Sequence, residues 1–205
     1  MVHKNSSLNY FDLYEKLYRL GYHSKLKNHG QQYVDNIVGN HEFDVILEIG
    51  CSNGMATQKF GKRRKTAYGI DCAHIAIRYA AEKAFCPNCI LADATNIPFI
   101  DNFADAIFSC DVFEHLLEKD IYLALAQVKR LTKRWFFIVL DCEAERNREW
   151  IDKAKKGYAR EFEGIENLHL TVWTPEKWRE VIQSYGFRYI RKYKDLYCFE
   201  KIAVK

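Results

Sequence analysis

Between residues 44 and 141, five short apolar runs alternate with segments of helical periodicity. The runs are DVILEIG (44–50), TAYGID (66–71), CILAD (89–93), ADAIFSCD (104–111) and RWFFIVLD (134–141). Runs this short and this continuously apolar suit strands buried on both faces, as in a parallel sheet covered by helices. Segments 54–61, 73–84 and 118–131 supply those helices. In the last, Ile121, Ala124, Leu125 and Val128 keep the spacing of one helix face, and Leu131 extends it.

The flanks extend the pattern. Residues 8–20 predict an amphipathic helix with Leu8, Phe11, Leu13, Leu17 and Leu20 among polar neighbours, and a turn-rich stretch leads from there to the first strand. After the fifth strand, the charged segment 141–170 predicts a partly helical insertion. Thr174 as N-cap, Pro175 at the first helical position and Gly186 beyond the end bracket one more helix. FRYIRKY (187–193) and LYCFEKI (196–202), joined by Lys194-Asp195, then read as an antiparallel pair. The expected fold is α/β, a Rossmann-like doubly wound sheet of seven strands with an antiparallel C-terminal strand.

The 205 residues, 48% hydrophobic and 28% charged, suit a single globular domain. No apolar run is long enough to span a bilayer, and the N-terminal stretch lacks the pattern of a secretion signal. Seven cysteines, an odd number partly within predicted strands, are expected to be reduced thiols in a cytoplasmic chain; Cys86-Pro-Asn-Cys89 reads as a turn before a strand. The net charge of +4 comes with basic clusters at Lys62–Lys65, Lys129–Arg134 and Arg188–Lys194, read as solvated faces that are able to meet phosphates.

Gly50-Cys51-Ser52-Asn53-Gly54 matches G-x-S-x-G, the nucleophile elbow of serine hydrolases. Only 43 residues precede this strand, and no HGGG-type oxyanion motif lies among them. The dinucleotide pattern G-x-G-x-x-G fails as well, because positions 50, 52 and 55 are Gly, Ser and Met. A wider constellation does fit: Glu48 in the first strand, the small residues Gly50, Ser52 and Gly54 in the turn, Asp71 ending the second strand, Asp93 ending the third and Asp111 after the fourth. Over residues 43–200 this resembles the class I S-adenosylmethionine-dependent methyltransferases. The resemblance implies S-adenosyl-L-methionine as cofactor and S-adenosyl-L-homocysteine as product. It assigns Glu48, Gly50, Cys51, Ser52, Gly54, Asp71, Cys72, Asp93, Ala94 and Asp111 to cofactor binding, with Asp71 on the ribose hydroxyls and Asp93 with the Ala94 amide at the adenine. Small residues at 50–54 let backbone amides approach the cofactor. Ser52 is then a loop residue and not a nucleophile.

On this reading residues 1–42 form a helical lid, 43–140 the cofactor-binding half, 141–170 the insertion and 171–205 the C-terminal helix and hairpin. CDVFEHL after strand four resembles the small-molecule and glycan O-methyltransferases and lacks the Asp/Asn-Pro-Pro-Tyr/Phe of enzymes that methylate amino groups of bases or glutamine. The expected acceptor is a hydroxyl of a sugar or glycan, with RNA second; nothing marks the oligomeric state. His115 is the first candidate base, with its ordinary pKa near neutrality, followed by His169; Asp111 lies beside them. Trp173, Asp141 and Tyr14 are the expected acceptor-binding residues. Asp111 and Asp141 are too few to build a metal site, so no metal is expected.

Overall fold

The computed structural model describes residues 9–22, 29–83, 86–142, 148–160 and 162–203. The predicted seven-stranded α/β sheet is present. Its strands are β1 (Val45–Ile49), β2 (Thr66–Asp71), β3 (Cys89–Leu91), β4 (Ala104–Cys110), β5 (Thr132–Val139), β6 (Phe187–Tyr193) and β7 (Leu196–Lys201). They lie in the order β3-β2-β1-β4-β5-β7-β6. The first five are parallel, β7 runs antiparallel to β5, and β6 antiparallel to β7. Strand order reverses between β1 and β4. In open sheets that switch point leaves a crevice at the carboxyl ends of the strands.

The central strands send alternate side chains into two cores. Leu47, Ile107, Phe136 and Ile138 pack on one face with α5 (Glu118–Leu131) and α7 (Pro175–Ser184), which contribute Leu125, Val128, Trp178 and Ile182. Ile46, Phe108, Phe137 and Val139 pack on the other with α2 (Gln31–Asn40) and α3 (Met55–Lys62), through Val34, Ile37 and Phe60. The Thr174 hydroxyl accepts the Lys177 N–H at 3.3 Å, and Gly186 adopts the left-handed backbone just past α7, as the caps predict.

Three expectations change. The stretch expected to be turn-rich contains α2, because Tyr33, Val34 and Ile37 form one buried face that tertiary packing secures without a side-chain cap. In α1 (Tyr10–Arg19), Leu13 and Leu17 are buried as expected, but Phe11 is exposed and the tyrosines 10 and 18 turn inward. Leu8 lies outside the described residues, as do parts of the lid and insertion segments. The cysteines are not all reduced: Cys86 and Cys89 form a disulfide, brought together by the Pro87-Asn88 turn with their Cα atoms 5.4 Å apart. The other five are free thiols.

The insertion supplies α6 (Arg148–Gly157), whose Ile151 and Ala154 join Phe162, Ile165 and Leu168 around Leu13 and Leu17 of α1. Polar ties fix α1 further. The Tyr10 hydroxyl donates to Asp120 at 2.7 Å and accepts the Leu117 N–H at 2.9 Å, both at the start of α5. Glu15 accepts the Ile75 N–H at 3.0 Å, in the first turn of α4 (His74–Glu82). Tyr10→Phe leaves a buried carboxylate and a backbone N–H without this partner. It is expected to lower unfolding free energy by about 1.5–3 kcal/mol. Urea titration measures this, and an unchanged midpoint would mean that α1 docks through its leucines alone.

Candidate active site

A cavity of about 290 Å³ opens at the β1/β4 switch point. Its floor is the turn after β1. Gly50, Ser52 and Gly54 all have left-handed backbone there, with φ of 76°, 49° and 74°. A Cβ on Gly50 would stand 2.2 Å from the Val112 side chain, and one on Gly54 2.6 Å from Cys86. Glycine is therefore required for close packing as well as for conformation.

The backbone donors of this turn are largely used within the protein. Gly50 and Cys51 both donate to the Ile70 carbonyl, at 2.8 and 2.9 Å, and Gly54 donates to Cys51 at 2.8 Å. The Ser52 N–H donates to Asp71 at 2.8 Å. Cys51 and Gly54 do not line the cavity. The expectation that these amides face the cofactor is thus corrected: the small residues keep the floor open, the N–H groups of residues 50–52 tie it to β2, and that of Gly54 closes the turn on Cys51. Ser52 hydrogen-bonds Tyr18, and no histidine accompanies it in the hydrogen bonds described, so the elbow reading has no triad.

Acidic side chains ring the cavity at the strand ends. Glu48, Asp71, Asp93, Asp111 and Asp141 all line it, together with Cys72 and Ala94; among the described residues no lysine or arginine does. Glu48 accepts a short hydrogen bond from Thr57, and burial pushes its carboxyl up to about 8. Asp71 accepts the Ser52 N–H on one oxygen and the Ala73 N–H, at 2.9 Å, on the other; burial raises it to about 6 against those donors. Asp93 caps its own turn, taking both the N–H and the hydroxyl of Thr95. Asp111 meets the Nδ1 of His29 at 2.8 Å.

At the β4/β5 end, His115 and His169 stand edge to face with ring centroids 4.8 Å apart. The Thr171 N–H donates to the Glu114 carbonyl and its hydroxyl to the Leu116 carbonyl, which zips segment 168–171 against 114–116. His115 Nδ1 donates to the Leu168 carbonyl at 2.9 Å. Burial, with His169 beside it, pushes His115 down to about 4, below the near-neutral range expected of it. A neutral ring protonated on Nδ1 carries its lone pair on Nε2.

The roof is α1 and the residues after it: Tyr10, Tyr14, Tyr18 and Tyr22 line the cavity. The Tyr14 ring meets His115 edge-on at 6.0 Å, and its buried hydroxyl has no hydrogen-bond partner among the described residues. Asp141 lies where expected. Trp173 does not: it packs on Trp178 and Tyr122, outside the cavity lining. Sequence reasoning missed Glu114; it placed Tyr10, Tyr18 and His29 in the lid over the cofactor, where they do line the cavity, but without their partners. Glu114 was legible as the neighbour of His115 in CDVFEHL, whereas His29 reaches Asp111 only through the path of α2.

The family model described as "Methyltransferase domain" matches residues 47–138. An uncharacterized methyltransferase of Anoxybacillus flavithermus is 27% identical over 177 residues, covering 80% of this chain and 83% of that protein. A tRNA (carboxymethyluridine(34)-5-O)-methyltransferase of Arabidopsis thaliana is 31% identical over 98 residues, 47% of this chain and 23% of that one. The fold is shared with the magnesium protoporphyrin IX methyltransferase of Synechocystis, solved with bound S-adenosylhomocysteine. Its TM-score is 0.64 at 17% identity, over 95% of this chain and 97% of that one. Cavity, glycine turn and acidic strand ends all sit at the carboxyl ends of the parallel strands, by the switch point where open α/β sheets bind ligands. The matched domain, the relatives and the shared fold together support an S-adenosylmethionine-dependent methyltransferase.

Proposed function

We propose that the chain methylates a hydroxyl oxygen of a small acceptor, sugars first, at the histidine end of the cavity. The observation that carries this reading is the Tyr14 hydroxyl, buried in the cavity wall beside His115 without a hydrogen-bond partner among the described residues. A buried phenol left unpaired is costly, so the wall suits an acceptor with polar groups of its own. Trp173 offers no platform for a sugar ring; the aromatic surface facing the cavity is that of the α1 tyrosines.

The cofactor half follows from chemistry at the strand ends. Glu48, Asp71 and Asp93 offer carboxylates to an ammonium and to hydroxyl and amino groups, and Gly50 leaves room where a Cβ would collide with Val112. S-adenosylmethionine, when bound, supplies a methyl on a sulfonium: a C–O bond forms as the C–S bond breaks, and its electron pair stays on sulfur. The chain's own contribution is alignment, exclusion of water and a path for the hydroxyl proton. His115 and His169 fix where the acceptor oxygen sits, and Asp111 and Asp141 line the same end, where a proton can leave. Helix α1 acts as a lid, closing the cavity with its tyrosines.

A second reading, an RNA acceptor, rests on the hairpin. Because β7 is antiparallel to β5, with Leu196 opposite Val139, the β6–β7 turn lies at the carboxyl ends of the parallel strands, and it carries exposed Lys192 and Lys194. Its "5-O" relative in Arabidopsis acts on tRNA.

Asp71→Ala removes the acceptor for two backbone donors and a cofactor-facing carboxylate. S-adenosylhomocysteine affinity is expected to fall at least roughly tenfold, since hydrogen bonds to charged groups contribute about 1.5–3 kcal/mol. Calorimetry that finds full affinity would remove Asp71 from the site. His115→Ala is expected to keep that affinity and to lose roughly 100-fold or more in kcat through misplacement of the acceptor. Labelled-methyl transfer to sugars, nucleotide sugars and phenols should yield a methyl ether. Products methylated only on nitrogen would refute the hydroxyl assignment. Turnover of RNA alone, steeply weakened by added salt, would move the acceptor to the second reading.

A further inference from the structure

At the cavity wall, Glu114, His115 and His169 form a buried cluster whose ligand atoms all lie within 4.8 Å of one another. The 3-10 turn Phe113–His115 after β4 carries two of them, and the segment after α6 brings the third. One Glu114 oxygen accepts the Asp141 N–H at 3.0 Å. The other is buried with no hydrogen-bond partner among the described residues, which leaves it open to a donor or a cation. His115 shows the arrangement of a metal-binding imidazole: Nδ1–H held by a backbone carbonyl and Nε2 left with the lone pair. Asp111 and Asp141 add negative charge to the same end, with no lysine or arginine lining the cavity among the described residues.

We propose that Glu114, His115 and His169 bind a divalent transition-metal ion, and that its open coordination position faces the cavity and takes the acceptor oxygen. Two imidazoles and one carboxylate are donors for Zn²⁺, Co²⁺ or Fe²⁺, whereas Mg²⁺ favours oxygen ligands. Three protein ligands leave the remaining position to water or substrate, as in catalytic sites. Ligands about 2.1 Å from a tetrahedral ion stand about 3.4 Å apart, so small side-chain rotations close the set. His115 and His169 line the cavity while Glu114 lies behind them, so the open side is the substrate side. His115 is thereby a ligand and not a base. A second triplet, His29, Cys110 and Asp111, is a weaker candidate: it includes exposed His29, which already bonds Asp111.

The acceptor part rests on the hydroxyl reading above; the metal part does not. The test is titration of the full chain, stripped with a chelator and dialysed, with CoCl₂, followed by visible absorption. Saturation at one Co²⁺ per chain, with displacement by Zn²⁺, is expected. Glu114→Gln and His169→Ala should each weaken Co²⁺ binding at least roughly tenfold while keeping S-adenosylhomocysteine affinity and a cooperative thermal transition. His169→Cys keeps a donor and should restore binding with a sulfur-to-cobalt charge-transfer band, which a merely structural histidine would not produce. The site is overturned if Co²⁺ does not saturate. It is equally overturned if binding is lost in His29→Ala or Cys110→Ser and kept in His169→Ala. Full-rate hydroxyl methylation by the chelated protein would overturn the acceptor part. Failure of every hydroxyl acceptor would refute the O-methylation reading, while the cobalt stoichiometry would still stand.

Discussion

The site depends on one carboxylate. Asp71 ends β2 and accepts two backbone N–H groups, one from Ser52 in the turn after β1 and one from Ala73 where α4 begins. It therefore joins the ends of neighbouring parallel strands and sets the shape of the cavity floor between them. Left-handed backbone at Gly50, Ser52 and Gly54 is the other half of the same construction, because only that path turns the Ser52 N–H towards β2. The interaction is buried, so water does not compete for it.

From this floor the remaining parts follow by packing. Parallel strands bring Glu48, Asp93 and Asp111 to one edge, and the strand-order reversal opens the edge into a cavity. Helix α1 then closes it, held by leucines on the α6 side and by Tyr10 and Glu15 on the α5 and α4 sides. The histidine end of the cavity comes from a different source, the turn after β4 and the segment after α6. The two ends thus rest on separate stretches of chain that meet only in the folded protein.

Much of the fold was legible because parallel strands and their helices leave periodic traces: β2 and α5 fall on the residues that their patterns mark. Helix α2 was not, since QQYVDNIVGN has a weak pattern and no cap, and its buried face makes sense only once β1 lies beside it. Acidic residues at strand ends were legible from spacing. The direction of the loop amides was not, because periodicity says nothing about whether an N–H meets a ligand or Asp71. Trp173 illustrates the same limit from the other side: an aromatic beside a candidate histidine was read as a stacking platform, and Trp178, a few residues on, holds it instead. Glu114 was legible beside His115, but its burial was not, because a charged residue in a turn reads as exposed.

The acidic cavity has a consequence for turnover. Burial holds Glu48 and Asp71 above the ordinary carboxylate range, so in the empty cavity part of the negative charge is suppressed. A positively charged occupant reverses that balance and draws the groups to ionise, deepening the well that receives it. Methyl transfer converts a sulfonium into a neutral thioether, and the lining then faces one positive charge fewer. Carboxylates in a dry wall are poorly solvated, so that lost charge weakens the grip on the product more than it would in water. A ring of acids that draws in a cation thus lets go of it more readily once that charge is lost.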